Sequence, residues 1–407
     1  MFITALDLGT SQIRALVAEA KKDGQLSLLG VFKTPSLGIR KGEIVSVNDA
    51  VSVLNRLFNE VRQIDKAALK NIFVNVGGSH ARLQNSRGII AVSRADNEIY
   101  SDDIDQVIKA SQAINLGPNR MILHTITREF TVDGIGGISD PLGMAGSRLE
   151  VNSLIIDAFK PTINNLIKAV EAAGGKIGGL IYNPLAASRS ILSKTQKELG
   201  AVAVDIGFGA TSMAAYEEDK LLCASVFPVG SSNITNDLAV GLKCPIKTAE
   251  TIKLSYGSAF PKEISNKEKI ALEQIDDSLK STVSKRFVSE IIESRLAEIF
   301  EFVNNELKLV GKSGQLPAGA VITGAGAKIP DIVELAKQEL KLPVQLGIPD
   351  FSAVESINAE FENQLEDLEF AAAIGLLLWG VDQVLENQGW APTKTGWLGK
   401  ILKHFLP

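Results

Sequence analysis

Cysteine is almost missing from this chain of 407 residues, and histidine is nearly as rare. The two cysteines, Cys223 and Cys244, cannot build a disulfide framework or a four-ligand zinc site, and they read as reduced core thiols. His80, His124 and His404 are too scattered along the chain to mark a metal site. Long apolar runs are lacking as well. The strongest, Ala371–Val381, falls well short of the roughly 20 residues of a membrane-spanning helix and reads as a buried one. No basic leader precedes Phe2, so secretion is not expected. Positive charge is in deficit, with 42 Lys and Arg against 47 Asp and Glu. The net charge of −5 gives no general attraction to nucleic acid, so any phosphate chemistry must be local. What is present, 45% apolar and 22% charged residues, is the composition of a folded cytosolic protein, long enough for several domains.

The pattern is that of an α/β chain. Phe2–Asp7 and Ile13–Glu19 are strand-like runs around Gly9-Thr10-Ser11, with Leu26–Phe32 as a third. Helical spacing of Val51, Leu54, Leu57, Phe58 and Val61 predicts a helix over Asn48–Ile64, and Asn71–Val76 is the next strand. Between about Gln84 and Lys160 the pattern changes to that of an inserted α+β module, with one helix, Asp102–Ile114, capped by Ser101. Ala201–Ile206 is an apolar strand carrying Asp205, followed by a glycine turn and a second strand, Ser212–Glu217. Ala5-Leu6-Asp7-Leu8-Gly9 and Val204-Asp205-Ile206-Gly207 thus open two similar strand–turn–strand units, which suggests duplicated halves facing each other. Further on come a helix over Ile246–Tyr256, a charged segment Pro261–Asp277, a long amphipathic helix Ser284–Leu309 and a short strand Ala320–Ile322. A helix over Glu369–Val381, a polar linker Asp382–Thr395 and a separate amphipathic element Gly396–Pro407 complete the chain.

An aspartate at a strand end followed by a Gly-Thr-Ser turn can set hydroxyls and backbone N–H groups around phosphate oxygens while its carboxylate orients hydrated magnesium. Asp7, Gly9, Thr10 and Ser11 supply these parts, and Asp205, Gly207, Gly209 and Thr211 supply a second set. One such hairpin is an ordinary turn; two would clamp a triphosphate and its metal from opposite sides. Thr323-Gly324-Ala325-Gly326 follows a buried strand, where backbone without side chains can approach a flat ligand, though it also serves as a plain strand–helix turn. Glu250 and Lys253 share a helical face at i, i+3, the spacing of a simple ion pair.

The order of these elements resembles the actin/Hsp70/hexokinase superfamily. More narrowly, Tyr182-Asn183-Pro184-Leu185-Ala186-Ala187-Ser188, Ile234-Thr235-Asn236-Asp237-Leu238-Ala239, Ala249–Lys253 and Phe370-Ala371-Ala372-Ala373-Ile374-Gly375-Leu376-Leu377 resemble the bacterial FtsA family over essentially the whole chain. That resemblance implies an actin-like fold of two halves around a nucleotide cleft: 1–83 with 161–195 and the 369–381 helix, an inserted subdomain 1C at 84–160, then 196–243 with 311–368, and a subdomain 2B at 244–310. It implies ATP with Mg, held by Gly9, Thr10, Ser11, Gly207, Gly209 and Thr211 at the phosphates and by Asp7 and Asp205 at the metal. Glu250 and Lys253 would meet ribose and adenine, and Gly324, Ala325 and Gly326 would back the adenosine. Implied partners are the FtsZ C-terminal peptide, further copies of the chain in a filament, other divisome proteins at the insert, and the anionic inner membrane.

Three departures stand out. Phe208 and Ala210 interrupt a loop the family keeps richer in glycine, so their side chains are expected to point away from the phosphates. Gln12 takes the place of a common lysine. Asn183 takes the place of a Gln or Glu that positions the attacking water, which favours binding over hydrolysis. Arg286 and Arg295, on the long helix, are the candidates for an acidic peptide groove. In the tail, Trp397, Leu398, Ile401, Leu402, Phe405 and Leu406 form one apolar side against Lys400, Lys403 and His404, the pattern of an interfacial membrane helix. A sugar-type kinase of the same superfamily and a PilM-like pilus-assembly homologue are the alternative readings.

Overall fold

The computed structural model describes residues 1–21, 26–277, 279–355 and 359–387. The chain opens with a meander, β1 (Phe2–Leu8), β2 (Gln12–Ala20) and β3 (Leu26–Pro35), each strand antiparallel to the next. Helix α1 (Val47–Ile64) lays its Val53, Leu54, Leu57, Phe58 and Val61 stripe into the core, and β4 (Ile72–Val76) returns parallel to β1.

The next elements leave this sheet. Strand β5 (Arg82–Ala91), helix α2 (Ser101–Ser111), and strands β6 (Arg120–Val132), β7 (Ile135–Ile138) and β8 (Arg148–Phe159) build a separate antiparallel sheet in the order β5-β8-β6-β7. It has its own small core around Ile99, Ile104, Val107, Leu149 and Val151. Ser101 is the first residue of α2 rather than its cap. The cap position is Tyr100, whose N–H donates to Asp103 Oδ2 at 2.9 Å, because the acid three residues on reaches back where no side-chain oxygen reaches forward.

The chain then rejoins the first sheet through α3 (Lys160–Ala172), β9 (Ile177–Tyr182, parallel to β4) and α4 (Asn183–Ile191). A second meander follows: β10 (Ala201–Ile206), β11 (Thr211–Glu217) and β12 (Lys220–Phe227). Helices α5 (Ser231–Leu242), α6 (Ile246–Tyr256) and α7 (Lys285–Leu309) precede β13 (Gly319–Thr323), α8 (Ile332–Leu340) and β14 (Val344–Leu346). Finally β15 (Val354–Glu355) pairs with β3, and α9 (Ala371–Asn387) packs back on β1, β2 and α4.

The sheets are ordered β9-β4-β1-β2-β3-β15 and β14-β13-β10-β11-β12. Over five strands the order is the same, with β1–β4 and β10–β13 both parallel. The duplication expected from the two aspartate motifs is therefore a duplication of architecture. Register makes it specific to the residue: Asp7 faces Arg14 across one hairpin, and Asp205 faces Ser212 at the same place in the other.

Two expected boundaries change. Within and just beyond the charged stretch from Pro261, Lys269–Ala271 pairs with Thr282–Ser284, because Ile270 and Leu272 are apolar enough to be buried there. Helix α9 runs to Asn387, into the stretch expected to be linker, since Arg189 holds Asp382 at 3.2 Å and Gln383 is buried. Ala371–Val381 is buried throughout, as expected. Gly375 permits this: a Cβ there would sit 1.8 Å from the Ala186 carbonyl oxygen, so α4 and α9 touch backbone to backbone. Both cysteines are free, Cys223 buried and Cys244 only half-buried. Trp397, Leu398, Ile401, Leu402, Phe405 and Leu406 lie outside the described residues.

Candidate functional site

The two hairpin turns face each other across a cleft of about 440 Å³, in the size range of small-ligand sites. They approach closely: a Cβ on Gly209 would lie 2.6 Å from Thr10 Oγ1. Gly9 is equally constrained, its Cβ position lying 2.4 Å from the Gln12 carbonyl. At Gly9 and Gly209 the backbone is bare, which is what an approaching phosphate group needs.

The cleft floor is a continuous chain of polar contacts joining the halves. Asn75 Nδ2 donates to Asp7 Oδ1 at 2.7 Å and to Asn183 Oδ1 at 2.9 Å. Asn183 Nδ2 donates in turn to Asp205 Oδ2 and to Ser212 Oγ, both at 2.9 Å. Asn75 Oδ1 accepts from the Leu8 N–H at 2.7 Å, which fixes its amide orientation. The aspartates differ in their remaining neighbours. Asp7 is 3.4 Å from Arg14, whereas Asp205 has no cation at ion-pair distance among the described residues. Burial is the main force raising both carboxyls. Arg14 and Asn75 oppose it at Asp7, while at Asp205 Asn183 and the more distant Arg14 oppose it and the charge of Asp7 adds to it, leaving Asp205 at about 6.

The Gly324–Gly326 loop and the Glu250–Lys253 helix face also meet here. Gly324 has φ +87 and lies against Asp205 and Ile206, and a Cβ on Gly326 would fall 2.4 Å from Ile206. Lys253, almost fully buried, donates to Glu250 Oε2 at 2.7 Å and to Thr235 Oγ1 at 3.0 Å. Its ammonium lies 5.7 Å from the centre of the Phe208 ring, which sets that ring on the Lys253 wall of the cleft, while Ala210 packs against the hydrophobic core. The cation–π contact gives Phe208 a place that glycine would leave empty.

Of the sequence-derived candidates, Asp7, Gly9, Thr10, Ser11, Asn183, Asp205, Gly207, Gly209, Glu250, Lys253, Gly324, Ala325 and Gly326 line this one cleft. Thr211 does not. It is fully buried and its hydroxyl donates to the Val229 carbonyl at 2.8 Å, bracing the hairpin, while its neighbour Ser212 faces the cleft. Strand alternation explains the exchange. Arg286 and Arg295 lie elsewhere, on α7. Arg295 forks onto Asp237 at 2.6 and 3.0 Å and also meets Glu298; Arg286 meets Glu290 and Asn266.

Sequence reading missed Asn75, Arg14, Ser212, Lys328 and Glu369, all in the cleft lining. Arg14 brings a positive charge to the cleft two residues beyond Gln12, paired with Asp7 and Glu369. A readable signal existed for two of them, since Arg14 and Asn75 are polar residues inside otherwise buried apolar strands. Outside the cleft, His124 accepts from the Tyr182 N–H at 2.9 Å, and burial holds it down at about 3, neutral, where it joins β6 of the insert to β9.

Comparison with known proteins bears on the family and the fold. The family described as "Cell division protein FtsA" matches residues 202–375, and the "SHS2 domain inserted in FTSA" matches residues 78–157. The FtsA of Pseudomonas aeruginosa is 33% identical over 94% of this chain and 89% of its own length; that of Bacillus subtilis is 35% identical over 86% and 79%. Among solved structures, the PilM-PilN type IV pilus biogenesis complex is 17% identical with a TM-score of 0.67, covering 93% of this chain and 98% of that one. MreB 5 of Spiroplasma citri bound to AMPPNP is 14% identical with a TM-score of 0.55, covering 95% and 98%. These structural likenesses establish an actin-like fold, and the sequence relatives establish more: the chain belongs to the FtsA family of cell-division proteins.

Proposed function

We propose that the cleft binds Mg·ATP and that the protein is a divisome adaptor which polymerises at the cytoplasmic face of the inner membrane and tethers FtsZ filaments there. The observation carrying the nucleotide part is the pair of opposed hairpins whose aspartates are joined through Asn75 and Asn183. The donor set fits the ligand. Asp205, without an ion-pair partner at contact distance among the described residues, and Asp7 suit a hydrated divalent cation; Gly9, Thr10, Ser11, Gly207 and Gly209 suit phosphate oxygens. Arg14 and Lys253 supply positive charge on opposite walls, and Gly324, Ala325 and Gly326 leave room for the adenosine. A bound magnesium would neutralise phosphate charge and hold the triphosphate in one geometry. Asn183 spends its amide on Asp205, Ser212 and Asn75, which leaves it poorly placed to orient an attacking water and favours slow turnover.

Family membership supports the adaptor role, with the insert serving subunit contacts and other divisome proteins, and the apolar side from Trp397 to Leu406 serving as a reversible anchor on anionic lipid. None of the described helices is long and apolar enough to cross a membrane, which is compatible with such an anchor. An acidic FtsZ peptide at Arg286 and Arg295 would have to displace the acids already paired there. The deciding experiment is co-sedimentation of the full chain with anionic liposomes, with and without FtsZ, beside titration calorimetry with Mg·ATP. FtsZ should pellet only when the adaptor is present, and loss of Trp397–Pro407 should release both. Unchanged pelleting of the truncated chain would overturn the anchor, and absence of ATP heat would overturn the nucleotide reading.

A further inference from the structure

The turn just before α9 belongs to both halves of the molecule. Its backbone hangs on the second half: the Leu368 carbonyl accepts from Thr323 Oγ1 at 3.1 Å and from the Gly324 N–H at 3.2 Å. Its next two side chains grip the first half. The Glu369 carboxylate pairs with Arg14, and the Phe370 ring lies 5.7 Å from the Arg14 guanidinium carbon. The other Glu369 oxygen takes Lys328, on the Gly324–Lys328 loop, at 2.7 Å, and Lys328 also holds Asp367 at 2.7 Å. Glu369 thus bridges a cation of each half, inside the lining of the cleft. Arg14 is itself nine-tenths buried, and its Nε has no hydrogen-bond partner, a buried donor left over after Asp7 and Glu369 are served.

We propose that Glu369 is a built-in counter-anion of the nucleotide cleft: it clamps Arg14 and Lys328 across the two halves when no ligand is bound, and phosphate must take Arg14 from it for the nucleotide to seat. This rests on the Mg·ATP reading above. The chemistry is a competition between two anions for one guanidinium. A carboxylate and a phosphate oxygen both accept its fork, but they cannot share the buried end of it without repelling each other. Glu369 is accordingly a positioning residue, setting affinity by the charge it offers Arg14.

The test is Glu369→Gln in the full chain, an isosteric change that keeps the turn and removes the charge. Two effects of opposite sign are expected. The ligand-free protein should melt earlier and exchange backbone hydrogens faster over Gly324–Lys328. Mg·ATP should bind more tightly, by about ten-fold, the scale of one charge-assisted contact. The gain should be smaller for Mg·ADP and should shrink in high salt. Glu369→Asp, which keeps the charge, should restore wild-type affinity. A merely structural role would lower stability and affinity together, so equal or weaker ATP binding by E369Q overturns the proposal. The result also separates the two readings. If wild type shows no binding and E369Q does, the clamp is supported; if neither binds, both the clamp and the nucleotide reading fall.

Discussion

The two walls of the cleft come from the same fold and carry different chemistry. Asp7 and Asp205 occupy equivalent hairpin positions, and so do the residues facing them, Arg14 and Ser212. On the neighbouring parallel strands Asn75 and Thr323 correspond: Asn75 donates to Asp7, whereas Thr323 turns away to the Gly347 and Leu368 carbonyls. One wall is consequently a carboxylate paired with its own cation, the other a carboxylate whose direct contacts are a hydroxyl and an amide, with Arg14 acting on it only from farther off. Duplication copies the backbone frame. The side chain opposite each aspartate decides how much positive charge that wall carries.

The largest way to break the comparison is to fill the gap between the walls. Gly209→Val places a branched side chain where even a Cβ lies 2.6 Å from Thr10 Oγ1, and should weaken Mg·ATP by at least about 100-fold in calorimetry, the scale of losing several charge-assisted contacts, with little change in circular dichroism. Making the first wall like the second, Arg14→Ser, removes the cation proposed to meet phosphate and should cost about ten-fold in ATP affinity. Asp205→Asn tests the unpaired carboxylate without ligand. Because the folded state lifts this group to about 6 from its usual 3.8, the native protein holds that proton more tightly than the unfolded chain. Its contribution to stability is present below about pH 4 and is lost as pH rises through 4 to 6. Urea melts should therefore find D205N more stable than wild type at pH 7, by about 1–2 kcal/mol after allowing for cleft water, and indistinguishable below about pH 4. The smallest effect separates neighbours on β11: Thr211→Val should cost about 1 kcal/mol through the lost bond to Val229 and leave ATP affinity unaltered.

Local pattern carried the elements well. Ala201–Ile206 and Ile246–Tyr256 occur with the residue limits their spacing suggests, and the repeated aspartate–glycine turn foretold the duplicated meander. The two glycine turns of the cleft were legible because their residues are contiguous. The relay beneath them was not, since Asp7, Asn75, Asn183 and Asp205 come from four separated elements and nothing in any one segment announces the others. Thr211 shows the limit at single-residue scale: membership of the motif did not say which of Thr211 and Ser212 faces inward, a matter of strand alternation that only a fixed register decides. Glu369 was hidden for another reason, because an acid at the start of an apolar helix looks like ordinary capping chemistry.

The late placement of α9 has a consequence for how the molecule is made. Ile374, Leu376 and Leu377 belong to the same hydrophobic core as Ile3, Leu6 and Leu16, and Trp379 Nε1 reaches the Leu185 carbonyl at 3.4 Å. As the chain leaves the ribosome, the amino-terminal half therefore emerges first yet stays without a wall of its core until more than 370 residues have been added. The second half, whose core draws on Val202 to Leu368, is contiguous and has all its parts sooner. Synthesis from the amino terminus usually lets the first domain fold first. Here the order of completion is reversed, and the half that opens the sequence waits, with apolar strands uncovered, for the last helix to close it.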